Sequence, residues 1–154
     1  MVEDRSPAIN HWLAVWELNS LYARDTSQGE GRRAWAEAAM YALARAEDEG
    51  VDKVDADVSR FHLRANVITD LGSNGNPLWD PDTLGVDILQ ALPLSRQQAA
   101  AWSVAWSDQP LPEILTLRRC KNLVNTAKAI REHLTEPTTA HEIDQWLILW
   151  KQLP

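Results

Sequence analysis

One short acidic run in the sequence has a spacing that could bind calcium. Asp80, Asp82 and Gly85 match positions 1, 3 and 6 of a helix–loop–helix calcium loop, which also needs oxygen ligands at positions 5 and 12. Leu84 and Ala91 stand at those two positions and offer no side-chain oxygen. The pattern therefore predicts that Asp80 caps a helix and that no metal is bound there.

The other residue types that do chemistry lack partners at useful spacings. None of the four histidines has a second histidine, or a glutamate in a Glu-x-x-His motif, one helical turn away. No Gly-x-Ser-x-Gly turn and no glycine-rich phosphate loop occurs. These observations predict no metal and no cofactor, and they favour a protein that is not an enzyme.

A basic cluster late in the chain is the main candidate for a binding surface. Five bases and no acid occur between positions 118 and 131. At about 100° per residue, four of them fall on one side of a helix, away from its apolar residues. That side is predicted to dock an anionic partner, either a protein or a nucleic acid. The four residues are Arg118, Lys121, Lys128 and Arg131.

Two simpler explanations of the basic cluster stay open. In the first, the bases form a solvated helix face with no partner; in the second, they balance the acidic segment 47–57 of the same chain. In the second case, reversing the basic charges would unfold the protein instead of weakening a complex.

Tryptophan is unusually frequent, with eight Trp against two Tyr and one Phe. Six of the eight form pairs four residues apart, and each pair faces one way on its helix. Core packing is the default explanation, with a ligand pocket or an exposed interface anchor as alternatives. Trp150 is predicted to be exposed and to contact a partner. The pairs are Trp12 and Trp16, Trp102 and Trp106, and Trp146 and Trp150.

Helix start and stop signals recur along the chain and predict an all-α bundle of about seven helices. Ser6 and Asp80 each precede a proline at a helix start, while Gly50 and Gly72 follow helix ends. The acidic stretch 51–58 is predicted to be a connector. The predicted helices span residues 7–24, 32–49, 57–71, 81–92, 95–106, 112–134 and 139–150.

Length and charge bound the remaining possibilities. The 154 residues predict a single helical domain, with the loop 72–77 as a possible seam. A net charge of −7 argues against a surface that wraps nucleic acid. No apolar run reaches the roughly 20 residues of a membrane span, so no membrane partner is expected. The single cysteine, Cys120, fits a reducing cytoplasm.

Three functions remain open from the sequence. The leading hypothesis is a small cytoplasmic protein–protein interaction module: an adaptor, an inhibitor or immunity-type binder, or a subunit of a larger assembly. The first alternative is an accessory subunit of a nucleic-acid complex that contacts phosphates through the basic helix. The second is a small-molecule binder or an enzyme with a Trp-lined pocket. A homo-oligomer is compatible with all three.

Overall fold

The computed structural model describes residues 6–91 and 117–151, which form α-helices and short 3₁₀ turns and contain no strand. The predicted all-α class is confirmed for these residues. The helices are α1 (Pro7–Arg24), α2 (Gly31–Asp48), α3 (Lys53–Leu71), α4 (Pro81–Ala91), α5 (Leu117–Arg131) and α6 (Pro137–Lys151). In this part of the chain, no helix is both long enough and apolar enough to cross a bilayer.

Six helices are described where seven were predicted. The helix predicted at 95–106 lies outside the described residues, as does the beginning of the one predicted at 112–134. The count of seven therefore stays a prediction.

Side-chain caps set two helix starts where the sequence predicts them. The Ser6 hydroxyl accepts a hydrogen bond from the backbone N–H of Ile9 at 3.1 Å, with Pro7 at the first helical position. The Asp80 carboxylate accepts one from the backbone N–H of Thr83 at 3.0 Å and so caps α4. Each carboxylate or hydroxyl satisfies an N–H group that has no partner within its helix.

The predicted connector at 51–58 is wrong, because α3 begins at Lys53. The Asp52 carboxylate accepts a hydrogen bond from the backbone N–H of Asp55 at 3.0 Å, and Ala56 is already buried, with 1% of its surface exposed. Acidic side chains at a helix N-terminus are stabilised by the helix dipole. The acidic run therefore starts the helix, whereas the alternating Val and Asp suggested a loop.

The predicted start of α6 at Thr139 is also wrong. The helix begins at Pro137, and Thr139 lies inside it with 7% of its surface exposed. The N–H groups that precede the helix are bound by a carboxylate from another helix. Asp82 Oδ1 accepts from the N–H of Thr135 at 2.8 Å and from that of Glu136 at 2.9 Å. A cap from a distant residue leaves no local sequence signal.

The chain divides into two compact units, Met1–Leu71 and Gly72–Pro154, called unit 1 and unit 2 below. Unit 1 holds α1, α2 and α3, and unit 2 holds α4, α5 and α6. The division falls at the start of the 72–77 loop, where Gly72 and Gly75 have φ values of +74° and +72° that favour glycine. A single domain stays a prediction.

In unit 1, α2 contributes small residues and two buried arginines to the contacts with α1 and α3. Along α2, a row of alanines is fully buried, which permits close helix contact. The Arg32 guanidinium donates to the Ala23 carbonyl at 2.6 Å and to the Asp70 carboxylate at 2.8 Å. Its neighbour Arg33 donates to the Leu71 carbonyl at 2.8 Å. The start of α2 thereby ties down the C-terminal ends of α1 and α3.

Unit 2 packs around branched aliphatic side chains and one glycine. Helices α4, α5 and α6 contact one another, and each contributes fully buried aliphatic side chains to the core. A Cβ atom at Gly85 would lie 2.9 Å from the Thr139 Cγ2 methyl and 3.0 Å from a Leu134 methyl. The absence of a side chain at Gly85 therefore allows α4 to approach the start of α6. The buried side chains are Leu84, Ile88, Ile130 and Ile143.

Candidate partner-binding surface

One of the predicted basic residues is already engaged within unit 2. The Arg131 guanidinium binds the Asp144 carboxylate with both prongs, at 2.7 Å and 2.9 Å, and so joins α5 to α6. These hydrogen bonds raise the pKa of Arg131 and lower the pKa of Asp144. The charge of Arg131 is therefore partly neutralised before any partner arrives.

The rest of the predicted basic side is described in part. Lys128 is exposed, but Glu132, also exposed, follows it by four residues, directly after the end of α5. This end of the helix therefore carries both signs of charge. Arg118 and Lys121 belong to α5 and Trp150 to α6, but their side chains lie outside the described residues, and their role stays a prediction.

The acidic segment 47–57 finds counter-charges within unit 1. Arg60 of α3 forms ion pairs with both Glu47 and Asp57. The Lys53 ammonium lies 3.0 Å from a carboxylate oxygen of Asp57. Part of the acidic charge is thus balanced locally.

The tryptophans differ between the two units. Trp79 and Trp146 of unit 2 are buried, with 1% and 5% of their surface exposed, and serve as core residues. Trp12, Trp16 and Trp35 of unit 1 are only half-buried. Core packing therefore explains the described tryptophans of unit 2 but leaves those of unit 1 partly at the surface. Trp102, Trp106 and the side chain of Trp150 lie outside the described residues.

An aromatic cluster with a cation lies on the surface between α1 and α2. The Tyr41 ring is 61% exposed and stands edge-to-face against Trp12, with ring centroids 6.0 Å apart. The Arg45 guanidinium lies 5.5 Å from the centroid of the same Trp12 ring, within cation–π range. On α1 itself, His11 packs edge-on against Trp12 at 4.9 Å. Trp12 is thus the centre of a partly exposed cluster with three neighbours.

A second aromatic contact lies further along the same two helices. The Tyr22 ring of α1 stacks on Trp35 of α2 at 4.7 Å between centroids and stays 39% exposed. The Trp35 indole N–H donates to the Gln28 side-chain oxygen at 3.3 Å. The indole therefore has its polar group satisfied while part of its ring faces solvent.

Trp35 and Arg45 lie on the side of α2 that faces away from its contacts with α3. Arg33 and Glu47 of α2 contact α3 through Leu71 and Arg60. At about 100° per residue, Arg45 lies about 160° around the helix from Glu47 and about 120° from Arg33. The two aromatic contacts therefore form an exposed region on α1 and α2, called the aromatic surface below. Its members are Trp12, Tyr22, Trp35, Tyr41 and Arg45.

Local sequence patterns do not predict this surface. The spacing of Trp pairs on one helix groups Trp12 with Trp16, whereas the exposed partners of Trp12 come from the next helix. The Tyr41 and Arg45 side chains are four residues apart on α2 and were the available signal. Combining them with Trp12 requires the antiparallel register of α1 and α2, which no local pattern provides.

The described residues, 6–91 and 117–151, were compared with the requirements of a metal centre and of a ligand cavity. No three His, Cys, Asp or Glu side chains there are grouped to bind a metal ion. The acids weighed for calcium serve as helix caps, Asp80 for α4 and Asp82 for α6. A cleft between α4, α5 and α6 has described walls that are all apolar, including Ile88 and Trp146, and a volume of about 10 Å³, room for one water molecule.

The chain was compared with protein families, curated proteins and solved structures. No family model, no curated protein and no solved structure matches the chain.

Proposed function

We propose that the protein is a small, non-catalytic interaction module of the cytoplasm that binds a partner protein through the aromatic surface. The observation that supports this most directly is the Tyr41 ring, 61% exposed and packed against Trp12 with Arg45 alongside. Trp, Tyr and Arg are the residue types that contribute most to binding free energy at protein interfaces.

The arrangement also lowers the entropy that a complex would lose. Side chains that are ordered before binding lose less conformational freedom when a partner arrives. Trp12 is held by Tyr41 and Arg45, and Tyr22 is held by its stacking on Trp35. Both contacts orient large rings while leaving part of each ring exposed. This supports the adaptor, inhibitor or assembly-subunit class of function.

The predicted basic side of α5 is retained as the competing surface. Its described end offers Lys128 as an exposed base, next to Glu132 and the ion pair of Arg131 with Asp144. A nucleic-acid partner would need several unpaired bases acting together. The described charges at this end of α5 favour the aromatic surface instead.

Affinity capture from the native host, with matched variants of the bait, tests the proposal. The bait is compared with a Tyr41→Ala/Arg45→Ala double variant and with a Glu37→Ala control, which changes an exposed residue of the same helix. We expect a protein that survives nuclease treatment to be retained by the wild type and the control and lost by the double variant.

Two results would overturn the proposal. One is a partner that all three baits retain equally. The other is a partner that is lost after nuclease treatment or after Lys121→Glu/Lys128→Glu substitution while the Tyr41→Ala/Arg45→Ala bait still binds it. The second result would assign binding to the basic side of α5.

A further inference from the structure

The outer side of α1 carries an exposed apolar row that no described helix covers. Ser20 and Ala23 mark the buried side of α1, whereas Leu18 and Leu21 are 55% and 62% exposed. Together with the exposed Ala14, the two leucines follow the alternating spacing of four and three residues that helices use to pair with one another. This row is called the outer stripe of α1 below.

The two flanks of the outer stripe differ in chemistry. Val15 and Tyr22 lie on one flank, and Glu17 and Arg24 lie on the other. Glu17 and Arg24 are both exposed, and neither forms an ion pair with a residue that the structure describes. One flank is therefore apolar, and the other carries one acid and one base, seven residues apart, that have no partner.

We propose that the outer stripe of α1 binds the same stripe of a second copy of this chain, as an antiparallel pair with two-fold symmetry. In that pair, Leu18 of each copy packs against Leu21 of the other. The two-fold axis brings like flanks together and reverses their direction. Glu17 of one copy then lies beside Arg24 of the other, twice, and Val15 lies beside Tyr22, twice.

The charge pattern selects this occupant and this orientation. With an acid and a base on the same flank, each charge meets the opposite charge of the second copy only when the second helix runs in the opposite direction. In a parallel pair, the charged flank of each copy would lie against the apolar flank of the other, which leaves the charges unpaired. The surface is thus complementary to itself, which is the requirement for a two-fold interface.

The pair is expected to be weak. A stable interface buries about 800 Å² per partner, which is more than one exposed face of an 18-residue helix offers. Self-association should therefore depend on concentration and appear between about 10 μM and about 1 mM. This inference goes beyond the proposed function: it rests on Leu18 and Leu21 and shares only Tyr22 with the aromatic surface.

A charge-swap series on the full-length protein tests the pair by sedimentation equilibrium. Glu17→Arg and Arg24→Glu should each weaken self-association about tenfold, because each places two like-charge contacts across the two-fold axis. The double variant, Glu17→Arg with Arg24→Glu, should restore it, because both pairs are rebuilt with opposite polarity. A Glu37→Arg control makes the same change of charge on α2 as Glu17→Arg makes on α1, and it should leave self-association unchanged.

Mixing the two single variants sharpens the test. Glu17→Arg protein carries only bases on the flank and Arg24→Glu protein only acids, so an equal mixture should associate more strongly than either variant alone. Leu18→Lys should abolish association in every background. The proposal would be overturned if the wild type is monomeric at about 1 mM. It would also be overturned if these substitutions leave the dimer unchanged while circular dichroism shows that the variants are folded.

Discussion

The two units of the chain stabilise their helices in different ways. In unit 1, the buried guanidinium of Arg32 reaches one acceptor on α1 and one on α3. In unit 2, the carboxylate of Asp82 reaches from α4 to the N–H groups before α6, and Gly85 brings α4 close to α6. A cation binds helix C-termini in one unit, and an anion binds a helix N-terminus in the other, as the direction of the helix dipole requires.

The difference extends to the surface. The described tryptophans of unit 2 are buried, whereas those of unit 1 are partly exposed to solvent. In unit 1, α2 contributes mainly alanines to the core, while α3 contributes the larger Phe61, Leu63 and Ile68. The large aromatic side chains of α1 and α2 therefore stay partly at the surface.

The largest expected effect is on unit 1, from Arg32→Ala. The substitution leaves the Ala23 carbonyl and the Asp70 carboxylate without this donor, and we expect the free energy of unfolding to fall by about 3 kcal/mol. Urea unfolding followed by circular dichroism measures it. The matched control is Arg45→Ala, which removes an exposed arginine of the same helix and should cost well under about 1 kcal/mol. Equal losses of unfolding free energy in the two variants would contradict the role of Arg32 in joining α2 to α1 and α3.

The next effect concerns the close approach in unit 2. Gly85→Ala should lower the free energy of unfolding by about 1–2 kcal/mol, because the new methyl group overlaps the side chains of Thr139 and Leu134. The control, Gly31→Ala, adds the same methyl group to α2, where nothing lies within 4 Å. Since alanine favours helix formation, the control should be neutral or stabilising. A stabilised Gly85→Ala variant would show that the helices can move apart at no cost.

The sequence predicts the helical class and the caps that are local, but not the contacts between helices. Ser6 and Asp80 bind N–H groups three residues away, so a short pattern identifies them. Asp82 and Arg32 bind groups 53 and 38 residues away in sequence. Such contacts depend on how helices pack, which hydrophobic periodicity alone does not determine.

The same limit explains the outcome for the candidate site. Lys128 and Arg131 both belong to α5, as the sequence predicts, but the partner of Arg131 comes from α6. Conversely, Tyr41 becomes part of a surface only because Trp12 of α1 lies beside it. A pattern within one helix identifies a face and cannot identify what covers that face.

As the pH falls, the folded structure of unit 2 should lose stability before that of unit 1. Burial opposes ionisation of Asp82, but hydrogen bonds from Thr135 and Glu136 together lower its pKa, and Arg131 lowers the pKa of Asp144. Each carboxylate connects two helices: Asp82 connects α4 to the start of α6, and Asp144 connects α6 to α5. In unit 1, hydrogen bonds from Ser27 lower the pKa of Asp25, which caps only a local turn.

The sign of the effect follows from the lowered pKa values. The unfolded chain binds protons at these carboxylates more readily than the folded chain does. Stability is therefore fully present above the ordinary carboxylate pKa of about 4 and is lost as the pH falls through the lowered values. Amide hydrogen exchange, measured by NMR from about pH 5 to pH 3, should show earlier loss of protection in α4 and α6. Asp82→Asn should make that loss less steep, and an unchanged profile would contradict the role of this carboxylate.

The smallest effect distinguishes the two described bases of α5. Arg131→Gln removes the ion pair with Asp144 and should lower the melting temperature slightly, because both side chains are partly solvated and water screens their attraction. Lys128→Gln removes the same charge from an exposed residue that pairs with no acid among the described residues, and it should leave the melting temperature unchanged. The difference between the two variants should shrink in high salt. If Arg131→Gln also leaves the melting temperature unchanged, the ion pair contributes nothing to stability, and Arg131 would be free to join Lys128 on the basic side of α5 in binding an anionic partner.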